Sequence, residues 1–221
     1  MSNETTEEIL VRLDCEGKLC LLEIAADTTA FRVQKTGHQH AHRFGCPDEP
    51  GRLGRFNDPC MQYGVWYGAQ YPAGALAETF GRLKPVGQRG IGIVLNAKDL
   101  EAYDMCLVAA TRNTRLLDLK ACLSKLGRTV DEVTGPDYAL TQEMVRVLCR
   151  LGPGRYDGIA YESRHHPQGA CYALWVMPGG AAVVKTLKMT NCAEFESRGE
   201  GSDSVMDVEE MLTEILGYRV I

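Results

Sequence analysis

Short strand-like runs alternate with stretches of helical periodicity along the chain, which predicts one domain of the α/β or α+β class. Three observations carry that expectation. Val65–Ala69, Tyr156–Tyr161 and Cys171–Val176 are compact apolar runs of strand length. Between such runs, apolar residues recur at helical spacing, as in Leu76, Phe80 and Leu83 or Met144, Leu148 and Leu151. Finally, 221 residues with 45% hydrophobic and 24% charged content suffice for one large core.

Composition narrows the function classes. A net charge of −5 is not that of a chain built to coat nucleic acid or an anionic membrane. No run of eighteen apolar residues predicts a spanning helix, and the polar start MSNETTEEIL has no export-signal pattern. Nine cysteines form no C-x-x-C pair and lie mostly in apolar stretches, so they read as reduced, mostly buried thiols of a cytoplasmic protein.

In chain order, residues 1–8 read as a frayed polar lead-in, and Ile9 to Ile24 as either a short helix or a hairpin. Ala30-Phe31-Arg32-Val33 is a strand. His38, His40 and His42 alternate, and would share one face of a strand; a metal site needs a further ligand at a defined spacing, which is not identifiable. No metal is therefore expected. Cys46 to Pro59 is a loop of tight turns, Arg89 to Leu95 a buried strand, and Asp99 to Ala110 a helix followed by a strand. Arg115 to Leu119 is a strand, and Lys120 to Leu126 a helix closed by Gly127. Thr141 is expected to cap a helix running to Leu151. Ala182 to Leu187 is a strand, Glu196 to Asp207 a mobile connection, and Val208 to Leu216 a final amphipathic helix.

One stretch concentrates the chemistry. Gly54 to Arg82 holds an arginine in a Gly-flanked turn (Arg55), an aromatic strand with Tyr67, and a helix, Ala73–Leu83, carrying Glu78. Glu78 lies about 200° around that helix from Leu76, on the face shared with Gly74, Ala75 and Arg82. That face is either solvent, with a Glu78–Arg82 i,i+4 ion pair, or the wall of a cleft. Tyr67 is either a core aromatic with its hydroxyl satisfied at an edge or a ring that meets a ligand.

The order of these parts resembles the RES domain family. Gly54-Arg55-Phe56, then Tyr67, then Ala75-Leu76-Ala77-Glu78, then Tyr161-Glu162-Ser163-Arg164-His165 match the family's arginine, glutamate and serine motifs. Phe31-Arg32-Val33 resembles its opening motif, and the similarity extends to about Val176. The resemblance implies residues 1–30 as a lead-in, 31–190 as the RES catalytic domain and 191–221 as a C-terminal connection and helix. It implies an α+β fold with an ADP-ribosyltransferase-like split sheet, NAD as substrate in the central cleft, and a toxin that degrades NAD with phosphate or water as acceptor. The alternative is a protein ADP-ribosyltransferase, and a third reading is a binding module built on the histidines.

Under that resemblance Glu78, Arg55 and Ser163 are the catalytic residues, and Arg32, Arg55, Tyr67 and Ser163 bind NAD. The chemistry is consistent with one acid. Nicotinamide leaves as a neutral ring, so a single carboxylate opposing the charge at C1′ suffices. Guanidinium forks suit the two phosphates. Arg164, His165 and His166 are candidates for an acceptor phosphate. The resemblance also implies an Xre-type antitoxin partner and leaves room for a homo-oligomer.

Overall fold

The computed structural model describes residues 4–42, 47, 49–83, 92–152, 154–176, 180–198 and 205–221. Helix α1 (Thr6–Cys15) opens on a capping box: the Thr5 hydroxyl accepts from the Glu8 amide and the Glu8 carboxylate from the Thr5 N–H. The lead-in expected over residues 1–8 is therefore helical from Thr6 onward. β1 (Leu21–Ile24) follows, which resolves the open segment as helix then strand. β2 (Thr29–Lys35), β3 (Gly64–Ala69) and α2 (Pro72–Phe80) come next, with a 3-10 turn (Gly81–Leu83) tightening the end of α2. Leu83 is carried out by that turn and is 60% exposed, so the expected stripe stops at Leu76 and Phe80, both buried.

β4 (Val94–Leu95) is all that the described residues show of the strand expected over Arg89 to Leu95, whose first residues lie outside them. α3 (Ala97–Leu100), β5 (Tyr103–Ala110) and β6 (Thr114–Asp118) then lead into α4 (Leu119–Leu126). Asp118 caps α4, and Gly127 ends it at φ 64°, a left-handed conformation natural to glycine. α5 (Val130–Thr134) begins on a second capping box, Thr129 with Glu132. α6 (Ala139–Arg150) starts earlier than expected. Asp137 accepts from the Ala139 amide, which leaves Thr141 inside the helix rather than at its cap.

β7 (Gly158–Tyr161), β8 (Cys171–Val176) and β9 (Val184–Asn191) complete the main sheet. β10 (Glu196–Arg198) and β11 (Val205–Asp207) pair antiparallel, so the connection expected to be mobile is tied at both ends by a ladder; residues 199–204 lie outside the described ones. α7 (Val208–Glu210) continues into a wider π turn (Met211–Ile215) that buries Met211 and Leu212, and β12 (Arg219–Val220) pairs with β4. His38 and His40 lie in irregular backbone and His42 in a turn, not in a strand, and the rings of His40 and His42 stack at 4.9 Å.

The result is a mixed α/β single domain around one eight-stranded sheet of order β1-β6-β7-β8-β3-β2-β5-β9. All neighbours in it are antiparallel except β6 and β7. The lead-in segment contributes an edge strand. β8 is buried along its whole length, the pattern of a central strand. Leu76, Phe80, Leu117, Met144, Leu148 and Ile159 fill the core beneath the helices, and Trp66, Cys106, Leu116 and Leu174 the opposite face.

The sheet is nearly divided. β3 follows β8 through every residue from Gly64 to Ala69, and β2 follows β5 from Thr29 to Lys35, but β2 and β3 share only Phe31↔Ala69. Beyond that pair Arg32 and Val33 draw away from Gly68 and Tyr67. Gly68 permits the close approach at the fork: a Cβ there would lie 2.1 Å from the Trp66 ring and 2.9 Å from the Phe31 carbonyl oxygen. Gly158 is equally constrained, because a Cβ would sit 2.2 Å from the Ala173 carbonyl oxygen on the neighbouring strand. Backbone cannot rotate aside as a side chain can. Gly158→Ala is expected to destabilise the fold by about 1–3 kcal/mol, read as a lower denaturation midpoint; an unchanged midpoint would contradict this packing.

Candidate functional site

Pro72 starts α2 at a position where its missing N–H is harmless, and the run Ala73-Gly74-Ala75-Leu76-Ala77 is buried on all sides. So small a helix can lie directly beneath the fork between β2 and β3. Glu78 emerges half-buried from its last turn. Its carboxylate receives two hydroxyls, one on each oxygen. Tyr161 donates to Oε2 at 2.9 Å and Ser163 to Oε1 at 2.6 Å.

Tyr161 ends β7 and Ser163 follows two residues later. Ser163, 2% exposed, also accepts from the backbone amides of His165 (3.1 Å) and His166 (3.3 Å). With two N–H groups pointing at its oxygen, the hydroxyl hydrogen is left to face Glu78. Burial, then the charge of Glu78, pushes the Tyr161 phenol well above its ordinary pKa, so it remains a donor. Tyr161 stands within the motif Tyr161-Glu162-Ser163, but its role was invisible without knowing that the strand end faces α2.

Glu78, Tyr67, Tyr161 and Arg82 are shared by two adjoining cavities. The smaller, about 210 Å³, is walled by the 51–56 loop, by Leu119, Lys120 and Leu123 of α4, by Val130, Val133 and Thr134 of α5, and by Tyr138, Glu162, Arg164 and His165. The other, about 260 Å³, occupies the fork itself, among Arg32, Val33, Gly68, Ala75 and Thr79. Together they fall within the roughly 300–1,000 Å³ usual for small-molecule sites.

Arg55 is fastened in place. Its Nη1 donates to the Val133 carbonyl and its Nη2 to that of Thr134 at 2.9 Å, with the guanidinium 4.7 Å from the centre of the Tyr138 ring. These are the last carbonyls of α5, which lack partners within the helix and carry its negative end. The loop around Arg55 is held as firmly. Thr141 donates to the Arg55 carbonyl (2.8 Å) and Gln142 to that of Gly54 (3.1 Å), which is the work of the misassigned cap residue. Tyr67 accepts from the Phe56 amide and donates to Asn57, both at 3.2 Å. Its hydroxyl is thus satisfied within the protein and its ring lines both cavities. At Gly54 a Cβ would fall 2.8 Å from the Asn57 side-chain oxygen.

Arg32 borders the fork cavity, but its Nη1 donates to the Ala41 carbonyl at 3.3 Å and its guanidinium lies 5.9 Å from the centre of the Trp66 ring. The fold therefore brings Glu78, Tyr67 and Arg55 around one cavity and Arg32 to the adjoining one, while Ser163 is buried behind Glu78 and lines neither. His165 lines the first of these cavities. A Cβ at Gly81 would meet its ring at 2.4 Å, so that glycine gives the imidazole its seat. His165 Nε2 accepts from Arg164 Nε at 3.1 Å. Burial lowers the His165 pKa first and the Arg164 charge next, against an opposing pull from Glu78.

No group of three or more His, Cys, Asp or Glu suited to a metal occurs among the described residues, and no described helix is long and apolar enough to cross a membrane. The described cysteines are all free thiols, and burial holds those of Cys106, Cys149 and Cys192 up at about 12.

The RES domain model matches residues 29–191, most of the chain. No curated protein matches. A chain in the crystal structure of the M. tuberculosis MbcT–MbcA toxin–antitoxin complex has a similar fold, with TM-score 0.59 at 15% identity over 83% of this chain and 91% of that one.

His165 provides a test of the site electrostatics. Folded, it holds a proton less readily than the ordinary imidazole at 6.5, so the unfolded chain protonates first as pH falls. Its contribution to stability is complete above that value and is lost as pH falls through the depressed folded pKa. An NMR titration is expected to give a midpoint below 6.5, moved upward in Arg164→Ala. A midpoint at or above the ordinary value would contradict a site that disfavours the proton.

Proposed function

The chain belongs to the RES domain family, and on that premise we propose that it is a toxin enzyme that degrades NAD by breaking the nicotinamide–ribose bond. The observation that carries this reading is the Glu78 carboxylate, held by two hydroxyls at the waist between two cavities. Cleavage of that bond builds positive charge at the ribose C1′. A carboxylate already oriented by the protein stabilises such a charge without having to reorganise. Each Glu78 oxygen keeps a lone pair for a ribose hydroxyl after receiving Tyr161 or Ser163.

The surroundings suit the rest of the dinucleotide. Leu119, Leu123, Val130 and Val133 offer apolar surface to a flat ring, and the guanidiniums that line the same cavity offer charge to phosphates. Tyr67 presents its ring where a base or ribose would lie. In this reading Glu78 is catalytic, Ser163 and Tyr161 position it, Arg55 shapes the phosphate side, and Arg32 reaches the substrate from the fork. Arg164 and His165 would border an acceptor phosphate, and water is the other acceptor. A partner would silence the site by filling the cleft near Arg55 and Glu78. The toxin–antitoxin complex of the structural relative supports such a partner, for which the Xre type is our expectation.

Incubation with NAD, with and without phosphate, followed by product masses tests the reaction. ADP-ribose identifies water as acceptor and its 1-phosphate identifies phosphate. Adenylate label appearing on protein would favour the transferase alternative instead. Glu78→Gln keeps the shape of the side chain and is expected to lower turnover by about 10²–10³-fold with no large change in unfolding temperature. A folded variant that consumes NAD at the original rate would remove Glu78 from the reaction.

A further inference from the structure

Arg82 stands four residues after Glu78, where a continued helix would bring the two into an ion pair. No such pair forms. α2 ends at Phe80, the backbone tightens into the 3-10 turn Gly81–Leu83, and Arg82 is carried to an exposed position lining both cavities. Other cations around this space have protein partners. Arg55 is held by the Val133 and Thr134 carbonyls, Arg164 by His165 Nε2 and more loosely by the Thr134 carbonyl at 3.5 Å, and Lys120 by Glu162. Arg32 is turned to the Ala41 carbonyl. Arg82 makes no hydrogen bond or ion pair with any described residue.

Its charge nevertheless falls on the site. Arg164, Arg82 and Arg55 all disfavour a proton on His165, and Arg82 counters the effect of burial on Tyr67. Arg55, Arg82 and Arg164, with Arg52 on the same cavity, therefore converge on a space that holds the carboxylate of Glu78 besides the Lys120–Glu162 pair. Like charges so grouped favour a multiply charged anion between them. Arg55 already directs both terminal nitrogens at carbonyls, whereas the fork of Arg82 is bound by no described residue.

We propose that Arg82 grips phosphate oxygens at the waist where the two cavities meet, beside Glu78. The site as a dinucleotide cleft is the premise for the ligand's identity alone. The phosphate is either part of a diphosphate bridge or a free inorganic phosphate, and the two share the chemistry that a guanidinium recognises. Arg55 becomes on this account the residue that shapes the loop, and Arg82 the one that meets the anion.

The experiment is calorimetric titration of the whole chain and of Arg82→Ala and Arg82→Lys with inorganic pyrophosphate and, separately, inorganic phosphate. Arg82→Ala is expected to bind at least one probe about tenfold more weakly or worse, with Arg82→Lys in between and the salt dependence of binding shallower in both. Because Arg82 has no partner among the described residues, the unfolding temperatures should agree. Weakening confined to pyrophosphate assigns the diphosphate bridge, and weakening confined to phosphate assigns the free anion. Equal affinities in the original protein and Arg82→Ala, or no binding of either probe by the original protein, would overturn the proposal. NAD turnover in the same preparation reads the reaction separately: Arg82-dependent anion binding without NAD loss would defeat the proposed reaction and leave this assignment standing.

Discussion

A carboxylate drawn half out of water beneath a sheet must be solvated by the protein, and the two hydroxyls on Glu78 meet that need. Much of the local architecture follows from them. Tyr161 is the last residue of β7 and Ser163 lies two residues beyond it, so one strand end delivers both donors to one acid. The amides of His165 and His166 turn the Ser163 hydroxyl toward Glu78 and simultaneously bend the chain so that His165 settles against Gly81. The acid, its donors and the imidazole are thereby one unit, with little freedom to relax separately.

The split between β2 and β3 decides where this unit faces. A continuous ladder through Arg32, Val33, Tyr67 and Gly68 would have closed the space that the fork cavity occupies. α2 fits beneath that gap because its buried residues are small, and a larger side chain at the fully buried Ala77 would have no room. The opposite wall is built from helix ends rather than from the sheet. α5 is only a turn and a half long, yet its terminal carbonyls fasten Arg55, and Thr141 and Gln142 of α6 fasten the loop that carries it. Permanent positive charge is thus anchored to backbone oxygens on one side and negative charge to hydroxyls on the other, with the cavities between.

Several features were readable in the residues because they depend on neighbours in the chain. The strands around Phe31, Val65 and Cys171 and the α4 helix with its Gly127 stop follow from local pattern, whereas the grouping of Arg55, Tyr67, Glu78 and Ser163 was implied only by resemblance to the RES family. The errors have local causes too. Thr5 was hidden as a cap because its box partner Glu8 reads as one more acid in a polar start, and Thr141 looked like a cap because Asp137, which accepts from the Ala139 amide, lies in a Gly-Pro turn. The histidine alternation suggested a strand face where the backbone turns instead.

By itself the chain's order of residues determined which chemistry was on offer: one acid on a small-residue helix, arginines in turns, a tyrosine on a strand and a serine at a strand end. It could not determine who holds whom. Tyr161 and Glu78 are 83 positions apart, and Arg55 and Thr134 are 79 apart. Contacts across such distances are set by how sheet and helices pack, for which no local spacing is a guide. Arg82 shows the same limit over four residues. Whether it would pair with Glu78 or turn into the cleft depended on one tightened turn after Phe80, and only the packed structure decided that geometry.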